Sequence, residues 1–257
     1  MSVSPVQPYS WSLHAEAVVL VPLLALAYAF VLRRHPAPGW RIACFLGGLG
    51  LILAVFVTPL ESLALHYLLT AHLLQNVALA EWSPALVVLG LPPAAAAAAH
   101  RYGAVRALTH PLVALPIWLA TYYAWHVPAA YDTALRHPST LLHLEHLCYF
   151  VTGLLVWWPP QTGRLNAGAS AAYLFAAFAL ASPLGLLLAL IPRAVYGFYV
   201  HAPRVWGWSP LTDQQVAGLT MAAEEAVVFF GAFAFYFVRF MRRDAAALDL
   251  KHARWTR

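Results

Sequence analysis

The residues best able to do chemistry are the twelve histidines, in a chain of 257 residues that is 62% hydrophobic and only 10% charged. Imidazole ligates copper, zinc and iron, and it changes charge near neutral pH. His143 and His146 are three apart. On a helix that spacing makes them neighbours on one face, so two imidazoles there can share one metal ion. His126 closes an apolar run just before Pro128, and His72 lies one to two turns inside another. His66 and His72 are six apart and differ by about a third of a turn in facing, so they share a metal only if the helix starts after His66 or bends. The candidate metal ligands are therefore His66, His72, His126, His143 and His146. His137 and His201 fall in loops and His14 near a helix start, where solvated or interfacial imidazoles are expected. Any buried histidine could instead serve a hydrogen bond with Tyr122, Tyr123 or Glu145. The stretch His143-Leu-Glu-His146 is not the metalloprotease pattern, which needs histidines one turn apart with the glutamate beside the first.

A second set is carboxylic. Glu224 and Glu225 fall near the middle of the last apolar run, and Glu81 in the inner half of the third. A carboxylate inside a membrane is protonated or paired with a base. Met221, one turn from Glu225, offers a soft thioether suited to copper(I), with plain packing as its alternative.

The elements that must position these groups follow from composition. A mean hydropathy of +0.68 is far above that of soluble domains, and lipid is the solvent that accommodates such a surface. The length suits one polytopic bundle better than two domains. Seven apolar windows approach the roughly 20 residues a span needs: about Ser12–Leu32, Trp40–Leu60, Leu63–Leu91, Pro111–His126, Thr140–Trp158, Ala169–Ile191 and Gln215–Phe240. Pro84 predicts a kink or break in the third. The expected fold is an all-α membrane bundle of about seven transmembrane helices over residues 1–241, followed by a basic cytoplasmic tail over 242–257. With the N-terminus outside and the C-terminus cytoplasmic, 12 of the 15 basic residues fall inside. Only Arg136, Arg193 and Arg204 fall outside, as the positive-inside bias requires. That bias accounts for the net charge of +5 without invoking nucleic acid. Cys44 and Cys148 fall near opposite faces and imply no disulfide. Met1–Ser10 lacks a basic leader region, so the first helix is read as retained. The sequence shows no internal repeat and no phosphate-binding loop.

At these residues the chain resembles the polytopic CtaG family of cytochrome c oxidase assembly factors. The match rests on Ala71-His72-Leu-Leu-Gln75 with Pro84 and Leu89-Gly90-Leu-Pro92. It continues through Trp125-His126-Val-Pro128, Tyr131-Asp132, Leu144-Glu145-His146, Gly153 and Trp157-Trp158-Pro159. It ends on Ala202-Pro203-Arg204-Val-Trp206-Gly207, Ser209-Pro210-Leu211, Asp213-Gln214-Gln215, Ala217-Gly218 and Met221. The family often carries a second histidine four residues after the first in the third helix. Asn76 stands there, so the site draws on His66 or rests on the fifth helix. The resemblance implies a non-enzymatic, multi-pass protein of the plasma (inner) membrane that matures cytochrome c oxidase. It also implies copper, supplied to the oxidase's copper–haem centre, with oxidase subunits and other copper chaperones as partners. The residues alone also admit a haem-binding membrane cytochrome or quinone-linked oxidoreductase, with His72 and His146 at matched depth, and then an ion or proton transporter using Glu81, Glu224 and Glu225. Whether the chain acts as a homodimer is left open by the sequence.

Overall fold

The computed structural model describes residues 7–14 and 16–255, with side chains described for 7–14 and 17–243. Every regular element among them is helical. Helix α1 (Ala17–Arg34) ends in Arg33 and Arg34, whose charge meets the negative end of the helix dipole. Helix α2 (Gly39–Val57) starts after Pro38 and stops at Thr58, ahead of Pro59. Thr58 then caps the short α3 (Pro59–His66).

The third apolar window is not one helix. The chain breaks after His66, and α4 (Leu69–Gly90) starts anew. The break is held by Asp213, whose carboxylate accepts the Leu69 and Thr70 amides at 2.7 and 3.0 Å and the Thr70 hydroxyl at 2.7 Å. The expected distortion at Pro84 takes the form of a widened π-turn at Ala78–Trp82. Proline has no N–H for the carbonyl four residues back, and the wider turn absorbs the mismatch without ending the helix. Gly153 packs directly there, where a Cβ would run into the Ala80 carbonyl and Pro84.

Two short helices follow, α5 (Pro93–Ala99) and α6 (Gly103–Leu108). Helix α7 (Pro111–Trp125) lies between a His110 cap and the His126-Val-Pro128 stop. Its 15 residues reach about 22 Å, less than a full crossing. Among the described residues, six helices are long and apolar enough to cross a membrane: α1, α2, α4, α9 (Pro138–Gln161), α10 (Ala167–Leu190) and α12 (Pro210–Arg243). Between them lie α8 (Pro128–Arg136) and the single turn α11 (Gly197–Val200). The last helix continues to Trp255, so the side chains of most of the expected 242–257 tail lie outside the described residues. Helices α10 and α12 cross at Gly185 and Gly218, each facing the other's carbonyl. Their lack of a Cβ lets the backbones touch.

Cross-contacts define two ends. One gathers Asp213 with Leu69, Asp132 with Gly197, and Val195 with Gln214. The other gathers Arg41 with Leu89 and Leu91, and Arg164 with His100.

Candidate functional site

Near the first of these ends, three of the five candidate ligands converge. His72 and His146 have ring centres 6.1 Å apart, and Tyr131 lies 5.0 Å from His72 and 5.9 Å from His126. All three histidines are buried, at 0%, 5% and 5% exposure for His72, His126 and His146. They come from three helices: His72 from the first turn of α4, His126 from the end of α7, and His146 from α9. The Asp213 cap fixes the start of α4 and so the height of His72. Asp132 does the same for the loop beyond α10, accepting the Gly197 and Phe198 amides at 3.0 and 3.1 Å and so placing Tyr196 and Tyr199 above the cluster.

The hydrogen bonds assign the ring nitrogens. The Tyr199 hydroxyl donates to the Ala64 carbonyl at 2.5 Å, so it accepts from His72 Nδ1–H at 2.8 Å. Burial, reinforced by the nearby Asp213 and Glu145 carboxyls, pushes the Tyr199 hydroxyl well above the usual phenol range, which keeps it protonated. His72 Nε2 is then a bare lone pair 3.9 Å from Glu145 Oε1, with no hydrogen-bond partner. His126 Nδ1 donates to the Tyr122 carbonyl at 2.7 Å, leaving Nε2 without a partner. Tyr149 approaches the same Nδ1 at the longer distance of 3.3 Å. Both nitrogens of His146 are buried without a partner. Asn76 donates to Glu145 Oε1 at 2.9 Å, while Glu145 Oε2, Asn76 Oδ1 and the Tyr131 hydroxyl have none. Unpartnered polar atoms are rare in native interiors and need an explanation. Here several of them belong to the histidine cluster and its neighbours.

The other two candidates lie elsewhere. His143 is half-buried at the rim of a cavity of about 240 Å³ that it shares with His146, Phe56 and Leu79. His66 is exposed and lines a separate cleft with His201 and Arg136; its partial burial there lowers its pKa. The break after His66 separates it from His72. Among the described residues no three His, Cys, Asp or Glu side chains surround a common point closely enough to hold a metal ion. The cluster thus places His72 and His146 side by side next to Glu145, with His126 on the far side of Tyr131.

The carboxylates form a second cluster deeper in the bundle. Trp82 Nε1 donates to Glu224 at 2.5 Å and the Tyr122 hydroxyl to Glu225 at 2.6 Å, while Glu81 is fully buried beside Glu224. A cavity of about 10 Å³, bounded by Asn76, Tyr122, His126, Tyr149 and Met221, separates the two clusters. That is room for about one water molecule. Met221 is thus buried packing against His126's neighbourhood.

The sequence pointed to His72, His126, His146 and Glu145, but not to Tyr149 and Tyr199 as the cluster's frame, and Tyr131 entered only as a resemblance position. Asp132 and Asp213 were visible only as resemblance positions, because a carboxylate that caps a distant helix leaves no local spacing.

The family model described as cytochrome c oxidase caa3 assembly factor (Caa3_CtaG) matches residues 24–243 of the chain. No curated protein and no solved structure matches it.

Proposed function

The chain belongs to the cytochrome c oxidase caa3 assembly factor family, and from that premise we propose that it helps build the oxidase by holding copper(I) at the His72–His126–His146 cluster and passing it on. One observation carries the reading. Four imidazole nitrogens on three converging helices are buried without a hydrogen-bond partner. Imidazole nitrogen is a common copper ligand. Copper(I) accepts few ligands, so the 6.1 Å between the His72 and His146 rings suits it better than a metal that needs four. Glu145 balances the positive charge, and Asn76 orients it. Low coordination also favours release, because an incoming ligand from the oxidase finds an open position. His143, at the rim of the neighbouring cavity, is the ligand through which copper reaches or leaves His146. The protein acts as an assembly factor, not as an enzyme, with oxidase subunits as partners in the plasma membrane. A haem is not favoured, because Tyr131 and Tyr199 pack directly against His72, at 5.0 and 6.2 Å between ring centres, where a macrocycle would need space.

The test is anaerobic loading of the detergent-purified protein with copper(I), followed by metal analysis and a visible spectrum. Stoichiometric copper is expected, lost in His72→Ala and in His146→Ala and retained in His66→Ala. Equal copper in all four proteins would sink the site, and a strong Soret band would transfer it to haem.

A further inference from the structure

At the opposite end of the bundle, a cavity of about 500 Å³ opens between α2, the turn before α10, and α12. Three arginines line it: Arg41, Arg239 and Arg243. Arg239 and Arg243 are one turn apart and so share a face of α12. Arg41 is fixed by donating to the Leu89 and Leu91 carbonyls at 2.6 and 2.9 Å. Those carbonyls orient the guanidinium but leave its charge unbalanced.

No carboxylate balances it among the described residues. Their ion pairs are His14–Glu61, His72–Glu145 and Arg136–Asp132, and none is at this end. Among the described residues no acid lines the cavity. Meanwhile Arg164 and Arg106 crowd nearby, close enough to repel one another. The N-terminus of the 24-residue α10, with Asn166 and Ala167 in the wall, adds its positive dipole end. Gln161 lines the same cavity and buries an Oε1 that has no donor.

We propose that this cavity binds the phosphate-bearing headgroup of an anionic phospholipid. The three guanidinium groups and the helix end take the phosphate, as basic pockets between transmembrane helices do for acidic lipids. The unpaired Gln161 oxygen accepts from a headgroup hydroxyl, which the glycerol of phosphatidylglycerol supplies. Free phosphate shares the phosphate chemistry but not the rest. A second hollow of about 660 Å³ shares Arg239 and Arg243 and is floored by Ala234, Phe235 and Val238, an apolar bed for an acyl chain under the same two arginines. Trp40, stacked under Arg41 at 4.6 Å and largely exposed, marks the headgroup level. The bound lipid bridges α2, α10 and α12, closing the end of the bundle remote from the histidines.

The test uses the full chain reconstituted in nanodiscs of phosphatidylcholine with or without phosphatidylglycerol. Lipid retained through detergent extraction is quantified by mass spectrometry, for wild type, R239Q/R243Q and the control R33Q/R34Q, whose arginines lie at the same end but do not line the cavity. Wild type and control are expected to keep phosphatidylglycerol selectively. Binding falls about 30-fold in R239Q/R243Q, the loss expected from two surface cations. Equal retention by the two double variants, or no preference of wild type for the anionic lipid, overturns the proposal. A thermal melt in lipid-free neutral detergent forms the second arm. If inorganic phosphate stabilises wild type as strongly as phosphatidylglycerol micelles do, the ligand is a soluble phosphate and the lipid assignment falls.

Discussion

His72 Nδ1 donates to the Tyr199 hydroxyl at 2.8 Å, and this bond decides which face of the imidazole is available. With Nδ1 protonated, Nε2 must present its lone pair toward Glu145 and His146. Tyr199→Phe removes the acceptor and leaves a buried N–H without a partner, at a cost of about 1–3 kcal/mol. The tautomer is then free to reverse. Loss of such an outer partner typically weakens metal affinity about 10–100-fold. Competition against a copper(I) chelator should show that fall, while His201→Ala, on the same loop but exposed, leaves affinity unchanged.

Asp213 sets the height of His72 without touching it. Its carboxylate substitutes for the missing first turn of α4 by accepting two amides and a hydroxyl. Asp213→Ala should lower stability by about 1–2 kcal/mol, the range for loss of a helix cap, read as a fall in melting temperature in detergent. Asp213→Asn keeps one acceptor and should lose less. Copper loading should fall in the same order, because the start of α4 carries His72.

Much of this arrangement was readable from spacing and composition. Long apolar runs with basic residues between them gave an all-helical membrane bundle, and proline and glycine marked most of the helix ends. The break after His66 was an option that the His66–His72 spacing raised but composition could not select. The segment around Leu63–Leu68 is as apolar as the helix that follows, and the interaction that ends one helix and starts the next comes from Asp213, 144 positions away from Leu69. Three-residue spacing puts two side chains on adjacent positions, but only His146 faces inward, while His143 stops at the cavity rim. The tyrosine frame was invisible because its members lie in loops and helices that meet only in three dimensions.

Acid should loosen the basic end. His100 accepts a hydrogen bond from the Arg164 guanidinium at one ring nitrogen, which requires a neutral ring. Its pKa is lowered by desolvation and by the positive charges of Arg164 and Arg106. The folded protein therefore resists a proton that the unfolded chain takes up near pH 6.5. This stabilisation is fully present above about pH 6.5 and is lost as the pH falls below it, since there the unfolded state binds more protons. Melting temperatures measured at about pH 7.5 and about pH 5.5 should fall with acid. The fall should be smaller in His100→Gln, which stays neutral throughout. An equal fall in the two proteins would place the acid-sensitive group elsewhere.

Asn76 stands one turn after His72 and is buried on the inward face of α4. Its amide holds Glu145 Oε1 at 2.9 Å, and its own oxygen is unpartnered. In Asn76→His, one ring nitrogen can keep the bond to Glu145 while the other turns toward His72, adding an imidazole to the proposed cluster. The cavity beside Asn76 holds only about 10 Å³, too little for the larger ring, so neighbouring Leu73 and Met221 must shift. Overpacking of that kind costs about 1–3 kcal/mol. The expected outcome is a split response: copper(I) affinity rises about tenfold by chelator competition as an imidazole replaces an amide, while the melting temperature of the copper-free protein falls. A rise in both would mean the site was already shaped for a histidine. A fall in both would mean that Asn76 serves Glu145 alone and that the copper-binding face of α4 ends at His72.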